Sequence, residues 1–513
     1  MKPPLLTKSK YINGLQCLRY LWFLFNEPQR VPEVDFMTQF RFDQGHEVGE
    51  LGKKLFPTGV NVPFGDFKSN IAQTIRLLKQ NVPLFEAGIL ANNLYARVDI
   101  LNPADNSEWD IIEVKSSTEV KDEHIQDVAF QRYCCEKQGL KIKKCFVTYI
   151  NNKYIKQGEI DPQQIFIQED VTERVDEATT GIEDRIAEMF NAISLAESPA
   201  VPVGTHCNDP YACPITLCHL ELPENTILSL YRANQKKYEF LHKGILFIKD
   251  IPADFKLTKV QQVQKTCDIS CQPHIDKDAI KEFLNTLQLP LYYLDFETFN
   301  TALPAYDGTR PYQQIPFQFS VHFETPASTR TVVQRARPQK KVQFQLAMQF
   351  MLEEQTNLLH YSFLADGTGD PRPDLLTELK KVLGDTGSIF VYNQSFEKRV
   401  LTELGKAFPE HKQWAESVCD RLVDLYEPFR NFDYYNPLQQ GSASIKEVLP
   451  AVTGKSYKGM AINNGEDASL AYLTLMFNEM PDESRNQLRA DLEQYCGLDT
   501  EGMVCIIKKL REL

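Results

Sequence analysis

From residue 80 to residue 155 the apolar positions switch between two periods. LYARVDIL (94–101) and WDIIEVKS (109–116) carry apolar runs of strand length, and the turn-forming NPADNSE between them predicts neighbouring antiparallel strands. EHIQDVAFQRYCCEKQG then shifts to helical spacing and stops at Gly139, a suitable C-cap, before KKCFVTYIN returns to a strand pattern. Strand, strand, helix, strand predicts an α/β core over residues 80–155. Residues 170–196 read as helical, and 222–285 as a mixed helical connector containing GILFIKDIP. A second α/β unit opens with PLYYLDFETF, continues through IPFQFSVHFE, and runs from SIFVYNQ straight into the helical SFEKRVLTELGKAF. The remainder is mainly helical, and neither a repeat nor a low-complexity tract interrupts it. The expected organisation is two α/β domains, 1–221 and 286–513, joined by residues 222–285.

The first unit carries a candidate constellation. Asp99 lies near the end of one strand, and Glu113 and Lys115, two apart on the next, share a sheet face. Two carboxylates on one face can hold a divalent cation, and an ammonium beside them can orient water or neutralise an attacked phosphate. An E-x-K pair also suits an ordinary exposed strand. Here its neighbours are apolar, and charges inside such a run need partners.

The second unit carries another. Asp295 and Glu297 form a D-x-E pair on one face of an apolar strand. Glu397 stands one turn into the helix after a strand, and Tyr495 precedes Asp499 by four residues, on one helical face. Four converging carboxylates would repel by about 4 kcal/mol per close pair at an effective dielectric near 20, so their joint ionisation calls for cations. Two divalent ions roughly 4 Å apart are the arrangement for in-line phosphodiester hydrolysis. Tyr495 would position the attacking water.

Charge and cysteines refine this picture. A net charge of −13 argues against coating nucleic acid by bulk attraction, yet leaves room for a nuclease with local basic patches. Lys141, Lys143 and Lys144 form one such patch; Arg335, Arg337, Lys340 and Lys341 form another. The opening residues lack the apolar core of a secretory signal, and no run nears the roughly 18 apolar residues of a membrane span, so a cytoplasmic protein is expected. Twelve cysteines are too sparse for a disulfide scaffold, which points the clustered Cys207, Cys213 and Cys218 towards metal. The other eight apart from Cys17 read mostly as small buried hydrophobes. Three thiolates leave a fourth ligand open, and His206 or His219 would complete a zinc site.

The first constellation resembles the RecB-like branch of the PD-(D/E)XK nucleases. Asp99, Glu113 and Lys115 match its catalytic core, His46 in DQGHEVGELGKKLF matches a metal-binding histidine on an early helix, and Glu86 in PLFEAGI matches an acid ahead of the core strands. Gln131 and Tyr133 in VAFQRYCC resemble its Q/Y motif, with either one able to fill the role. Members of that branch carry a [4Fe-4S] cluster with one upstream and three downstream cysteines, which implies Cys17 with Cys207, Cys213 and Cys218. The second constellation resembles the DEDDy exonucleases of the ribonuclease-H-like fold, with Glu397 where that family carries aspartate and Asp424 as an alternative ligand. Together the resemblances imply two Mg²⁺- or Mn²⁺-dependent nuclease domains. The expected substrate is DNA in preference to RNA, in repair or in defence against foreign nucleic acid. No P-loop motif is present, so strand separation would need a partner helicase. The competing expectations are a protein that binds nucleic acid with one or both sites inactive, and a zinc-stabilised scaffold.

Overall fold

The computed structural model describes residues 4–63, 65–215, 218, 222–223, 225–326, 351–353 and 356–513. His219 and the basic group Arg335, Arg337, Lys340 and Lys341 lie outside the described residues. The chain is α/β and divides into two compact units. The first comprises Met1–Pro223 with Thr301–Gln313, and the second Glu224–Asn300 with Gln314–Leu513.

The first unit is built on a mixed sheet of β1 (Leu6–Thr7), β2 (Val60–Asn61), β3 (Leu84–Ala91), β4 (Leu94–Pro103), β5 (Trp109–Lys115), β6 (Ile142–Ile150) and β7 (Phe166–Asp170). Its order is β2-β3-β4-β5-β6-β7, with β1 parallel to β4. β4 and β5 are antiparallel, as their intervening turn predicts, and β5 runs parallel to β6 through the crossover helix. The helices are α1 (Lys8–Gln16), α2 (Leu18–Asn26), α3 (Phe36–Lys53), α4 (Phe67–Leu77), α5 (Asp122–Lys137), α6 (Thr172–Thr179) and α7 (Ile182–Ser194). Alternation along the strands makes two cores. Ala96, Val98 and Ile111 pack with Val128, Ala129 and Phe130 of α5 on one face, while Ile112 and Val114 pack with Val48 and Leu51 of α3 on the other. Residues 301–313 belong to this unit because Ala302 is buried in the second of these cores and the Tyr312 hydroxyl donates to the Ser116 carbonyl.

The second unit holds a sheet in the order β11-β12-β10-β9-β13-β14. Its strands are β9 (Leu291–Phe299), β10 (Ile315–Pro326), β11 (Met351–Glu353), β12 (Thr356–Leu364), β13 (Ser388–Val391) and β14 (Leu422–Asp424). A separate pair joins β8 (His274–Ile275) to β15 (Tyr434–Tyr435). The main helices are α8 (Lys259–Ser270), α9 (Arg372–Val382), α10 (Gln394–Ala407), α11 (Ile445–Thr453), α12 (Gly465–Phe477) and α13 (Asp482–Arg511). The expected connector is part of this unit: Tyr231 and Cys267 pack with Phe432 and Tyr435, and β8 pairs across to β15. Among the described residues no helix is long and apolar enough to cross a membrane.

Candidate functional site

In the first unit the β4–β5 ladder ends at Ile100 opposite Ile112. Just beyond it the Val114 N–H donates to Asp99 Oδ2 at 3.0 Å, so the carboxylate takes the place of a strand partner. Glu113 is 1% exposed and projects on the α5 face, where a buried carboxylate needs compensation. Lys115 Nζ lies 2.6 Å from Glu113 Oε1 and 2.6 Å from Asp127 Oδ2. Gln131 Nε2 donates to Glu113 Oε2 at 2.7 Å and to Asp127 Oδ1 at 3.1 Å.

A second ammonium completes the network. Lys8, at the start of α1, lies 2.9 Å from Glu113 Oε1, 3.5 Å from Asp127 Oδ1 and 3.9 Å from Asp99 Oδ1. Burial alone would raise the Glu113 pKa, but Lys115 and Lys8 outweigh it and hold the group well below the usual carboxylate range. Asp99 moves the other way, to about 7, through burial first and the Glu113 charge second. His124 drops to about 4 from burial and the neighbouring Lys115 charge.

The structure therefore brings Asp99, Glu113, Lys115 and Gln131 together and leaves other expected members apart. Tyr133 turns to α7, donating to Glu183 Oε1 at 2.9 Å, so of the Q/Y pair it is Gln131 that joins the cluster. Glu86 interrupts β3 with a left-handed φ of 60° and pairs with Arg97 at 2.8 Å and Lys53 at 3.5 Å. His46 is exposed on α3. Lys8 and Asp127 were not anticipated. Asp127 was findable, because it precedes Gln131 by four residues on one helix, whereas the contact of Lys8 is purely tertiary. The Lys143 and Lys144 patch is paired, to Asp105 at 3.2 Å and Asp170 at 2.8 Å.

The cysteine run folds back on the start of the chain. Cys17 is an extended residue between α1 and α2. Its pKa is raised by burial and by the nearby Cys207 and Cys218, although N–H groups of Tyr20 and Arg19 oppose the shift. Cys213 is pushed up to about 11 by burial and by Cys17, Cys207 and Cys218, which sets all four thiols in one neighbourhood. Gln16 fastens the loop, donating to the His206 carbonyl at 2.8 Å and the Tyr211 carbonyl at 2.6 Å. Trp22, Phe23 and Ile215 form the adjoining apolar cluster. Of the cysteines expected to be buried, Cys271 is exposed and Cys505 partly so.

In the second unit, β9 carries Asp295 and Glu297 on the face covered by α13, which supplies Tyr495, Cys496 and Asp499. Asp295, Glu297 and Cys496 present one donor atom each, all within 4.8 Å of one another, and the Cys496 thiol lies 3.6 Å from Asp295 Oδ2. Glu397 enters from the first turn of α10 and is 2% exposed, and its Oε2 has no hydrogen-bond partner among the described residues. The Tyr457 hydroxyl donates to Asp499 Oδ1.

Electrostatics mark these carboxyls as one group. Burial, then the Asp499 charge, raises Asp295; burial, then Asp295 and Asp499, raises Glu297; burial, then Asp295, raises Glu397. Asp499 is raised to about 6 by burial, with Tyr457, Lys446 and Tyr495 limiting the shift. Lys446 also lies 5.9 Å from the Tyr495 ring centre and is a cation acting on Asp499 and Glu297, which its sequence context gave no reason to expect. Asp424 accepts the N–H groups of Asn393 and Tyr426, both at 3.1 Å, and so caps the turn beside Glu397. Hard oxygen donors with an unpartnered buried carboxylate oxygen fit a divalent cation.

The profile of a family described as "Domain of unknown function (DUF2779)" matches residues 292–444, a stretch holding Asp295, Glu297, Glu397 and Asp424. The uncharacterized protein MG366 homolog of Mycoplasma pneumoniae is 26% identical over 226 residues, covering 42% of this chain and 31% of the relative. The uncharacterized protein MG366 of Mycoplasma genitalium is 25% identical over 255 residues, covering 46% and 34%. The chain spans about a third of the length of these curated relatives.

Proposed function

We propose that the chain is a nuclease with two metal-dependent hydrolytic sites, a RecB-like PD-(D/E)XK site in the first unit and a ribonuclease-H-like DEDDy 3′-5′ exonuclease site in the second. The carrying observation is the second unit's cluster of Asp295, Glu297, Glu397 and Asp499 beside Tyr495, with one buried oxygen of Glu397 left unpartnered. Such a group ionises together only when cations offset its mutual repulsion, about 4 kcal/mol per close pair at an effective dielectric near 20. Asp295, Glu297, Glu397 and Asp499 would hold Mg²⁺ or Mn²⁺, which supplies Lewis acidity and charge neutralisation for in-line attack of water on a phosphodiester. Tyr495, beside Asp499, would orient the attacking water, and Lys446 would face the phosphate's negative charge. Glutamate at position 397 reaches further than aspartate, and its free oxygen leaves that reach available for an ion.

In the first unit, Gln131 and Lys8 hold Glu113 in one orientation, and Lys115 offers its ammonium beside Asp99 and Glu113. The neighbourhood of Cys17, Cys207, Cys213 and Cys218 suits a [4Fe-4S] cluster serving as a staple. Closing a loop of about 190 residues costs about 4–5 kcal/mol, which four iron–sulfur bonds exceed. DNA in preference to RNA, a cytoplasmic setting and a partner helicase complete the reading.

The test is degradation of end-labelled single- and double-stranded DNA and RNA with Mg²⁺ or Mn²⁺, comparing the wild-type chain with Asp295→Asn and Lys115→Ala. Loss of metal-dependent 3′-5′ degradation in Asp295→Asn supports the second site, and full activity in both variants overturns the proposal. A second reading, binding without cleavage at the first unit, draws on Lys8: with Lys115 it already neutralises Glu113 and Asp127 without any metal.

A further inference from the structure

The thiol of Cys496 stands among the oxygen donors of the second unit and is completely buried. Its distance to Asp295 Oδ2, 3.6 Å, admits two explanations. One is a weak S–H···O hydrogen bond. The other is a shared ion, because a zinc-like centre about 2.3 Å from sulfur and about 2.1 Å from oxygen, at a tetrahedral angle, sets those atoms about 3.6 Å apart. Glu297 offers an oxygen within the same 4.8 Å group. A separate observation favours the ion: Glu397 Oε2 is buried without a partner, and Asp295 is the charged neighbour that acts on Glu397 most strongly. A hydrogen bond between Cys496 and Asp295 leaves that buried oxygen unexplained, whereas a cation at the Asp295 group offsets the charge of the Glu397 carboxylate that neighbours it.

We infer that Cys496 is a ligand of the second unit's cation, making a mixed oxygen–sulfur site that takes a thiophilic divalent ion such as Co²⁺ or Zn²⁺ in preference to Mg²⁺. This rests on the metal-dependent reading of the same carboxylates and narrows it. Magnesium demands oxygen ligands and sheds water reluctantly, so a thiolate contributes little to holding it. Thiolate ligands select borderline and soft ions, and among first-row ions affinity rises from manganese through cobalt. On binding, the thiol proton leaves to solvent and the sulfur enters as thiolate.

The experiment titrates Co²⁺ into the full wild-type chain and into Cys496→Ser, and records the near-ultraviolet sulfur-to-cobalt charge-transfer absorption. Other cysteines contribute equally to both proteins, so the difference spectrum isolates position 496. One equivalent of charge-transfer absorption should be missing from Cys496→Ser, and its Co²⁺ affinity should fall about tenfold or more while Mg²⁺ affinity is unchanged. Cys496→Ala must lose the same band, and Asp295→Asn must weaken it. A hundredfold excess of Mg²⁺ should leave the wild-type minus Cys496→Ser difference band in place. Identical spectra for wild type and Cys496→Ser, or removal of the difference band by Mg²⁺, overturn the inference. Either result leaves the exonuclease reading intact, because that reading fails only if Asp295→Asn keeps the full metal-dependent 3′-5′ degradation of the wild-type chain.

Discussion

Replacing Asp499 by asparagine should stabilise the metal-free second unit at neutral pH and leave it nearly unchanged at pH 4. The Asp499 carboxyl rises from 3.8 to about 6 on folding, first through burial. At pH values below 3.8 the folded and unfolded chains both keep the proton, so the group contributes nothing. Between the two pKa values the unfolded chain releases the proton and the folded chain holds it, so stability falls as pH rises. Well above the folded value the loss is complete, roughly 3 kcal/mol for about two pKa units at about 1.4 kcal/mol each. Asparagine keeps an oxygen for the Tyr457 hydroxyl but cannot ionise, so this loss disappears. Scanning calorimetry of the full chain in chelator at pH 4 and pH 7.5 measures it, with hydrogen exchange of peptides from β9 and α13 assigning the change to the second unit. About 3 kcal/mol corresponds to roughly 5–10 °C in Tm at pH 7.5. Adding Mn²⁺ should close the gap from the wild-type side, since the ion binds the ionised carboxylates. Equal stability of the two proteins at pH 7.5, or an equal gain at both pH values, refutes the reasoning.

Three further outcomes are expected. Lys8→Met should cost the first unit about 2 kcal/mol in denaturant unfolding, less than the roughly 3–5 kcal/mol of a sole buried partner because Lys115 remains beside Glu113; no destabilisation would remove Lys8 from the network. Gln131→Leu should abolish first-unit cleavage in the end-labelled assay while Tyr133→Phe leaves it intact, since only Gln131 reaches Glu113; the reverse pattern would reassign the pair. Cys17→Ser should remove the visible absorption of anaerobically purified protein and raise hydrogen exchange in α1 and the 204–213 loop. Retained absorption would exclude Cys17 as a ligand.

The alternation of LYARVDIL and WDIIEVKS made the β4–β5 pair legible, and with it the common face of Glu113 and Lys115, because strand geometry is a two-residue rule. Asp295 with Glu297 and Tyr495 with Asp499 were readable for the same reason, each being a local spacing within one element. What escaped was whatever arrives from another part of the chain. Lys8 joins Glu113 across 105 residues, and nothing in TKSKY announces it. Cys496 escaped differently: cysteine is chemically double-natured, and inside an apolar helix face it reads as packing until the opposing strand is known to carry carboxylates. The connector was misread because its scattered apolar positions lack a clear period; Tyr231 and Cys267 find their partners near residue 432, far along the chain.

Residues 301–313 carry a consequence for synthesis. When the ribosome has made residue 223, the first unit still lacks Ala302, which is 1% exposed in its core, and Tyr312. At about 5–20 residues per second, roughly 5–20 s pass before that stretch is made, and β9 of the second unit must be made first. Nascent first-unit chains therefore wait with an open apolar seam, a window in which chaperone binding or aggregation competes with closure. For the same reason a single cut at residue 223 leaves the first unit short of its own 301–313 stretch, which stays behind as an insertion in the fragment that carries the second unit, so the first unit cannot be completed from the N-terminal fragment alone.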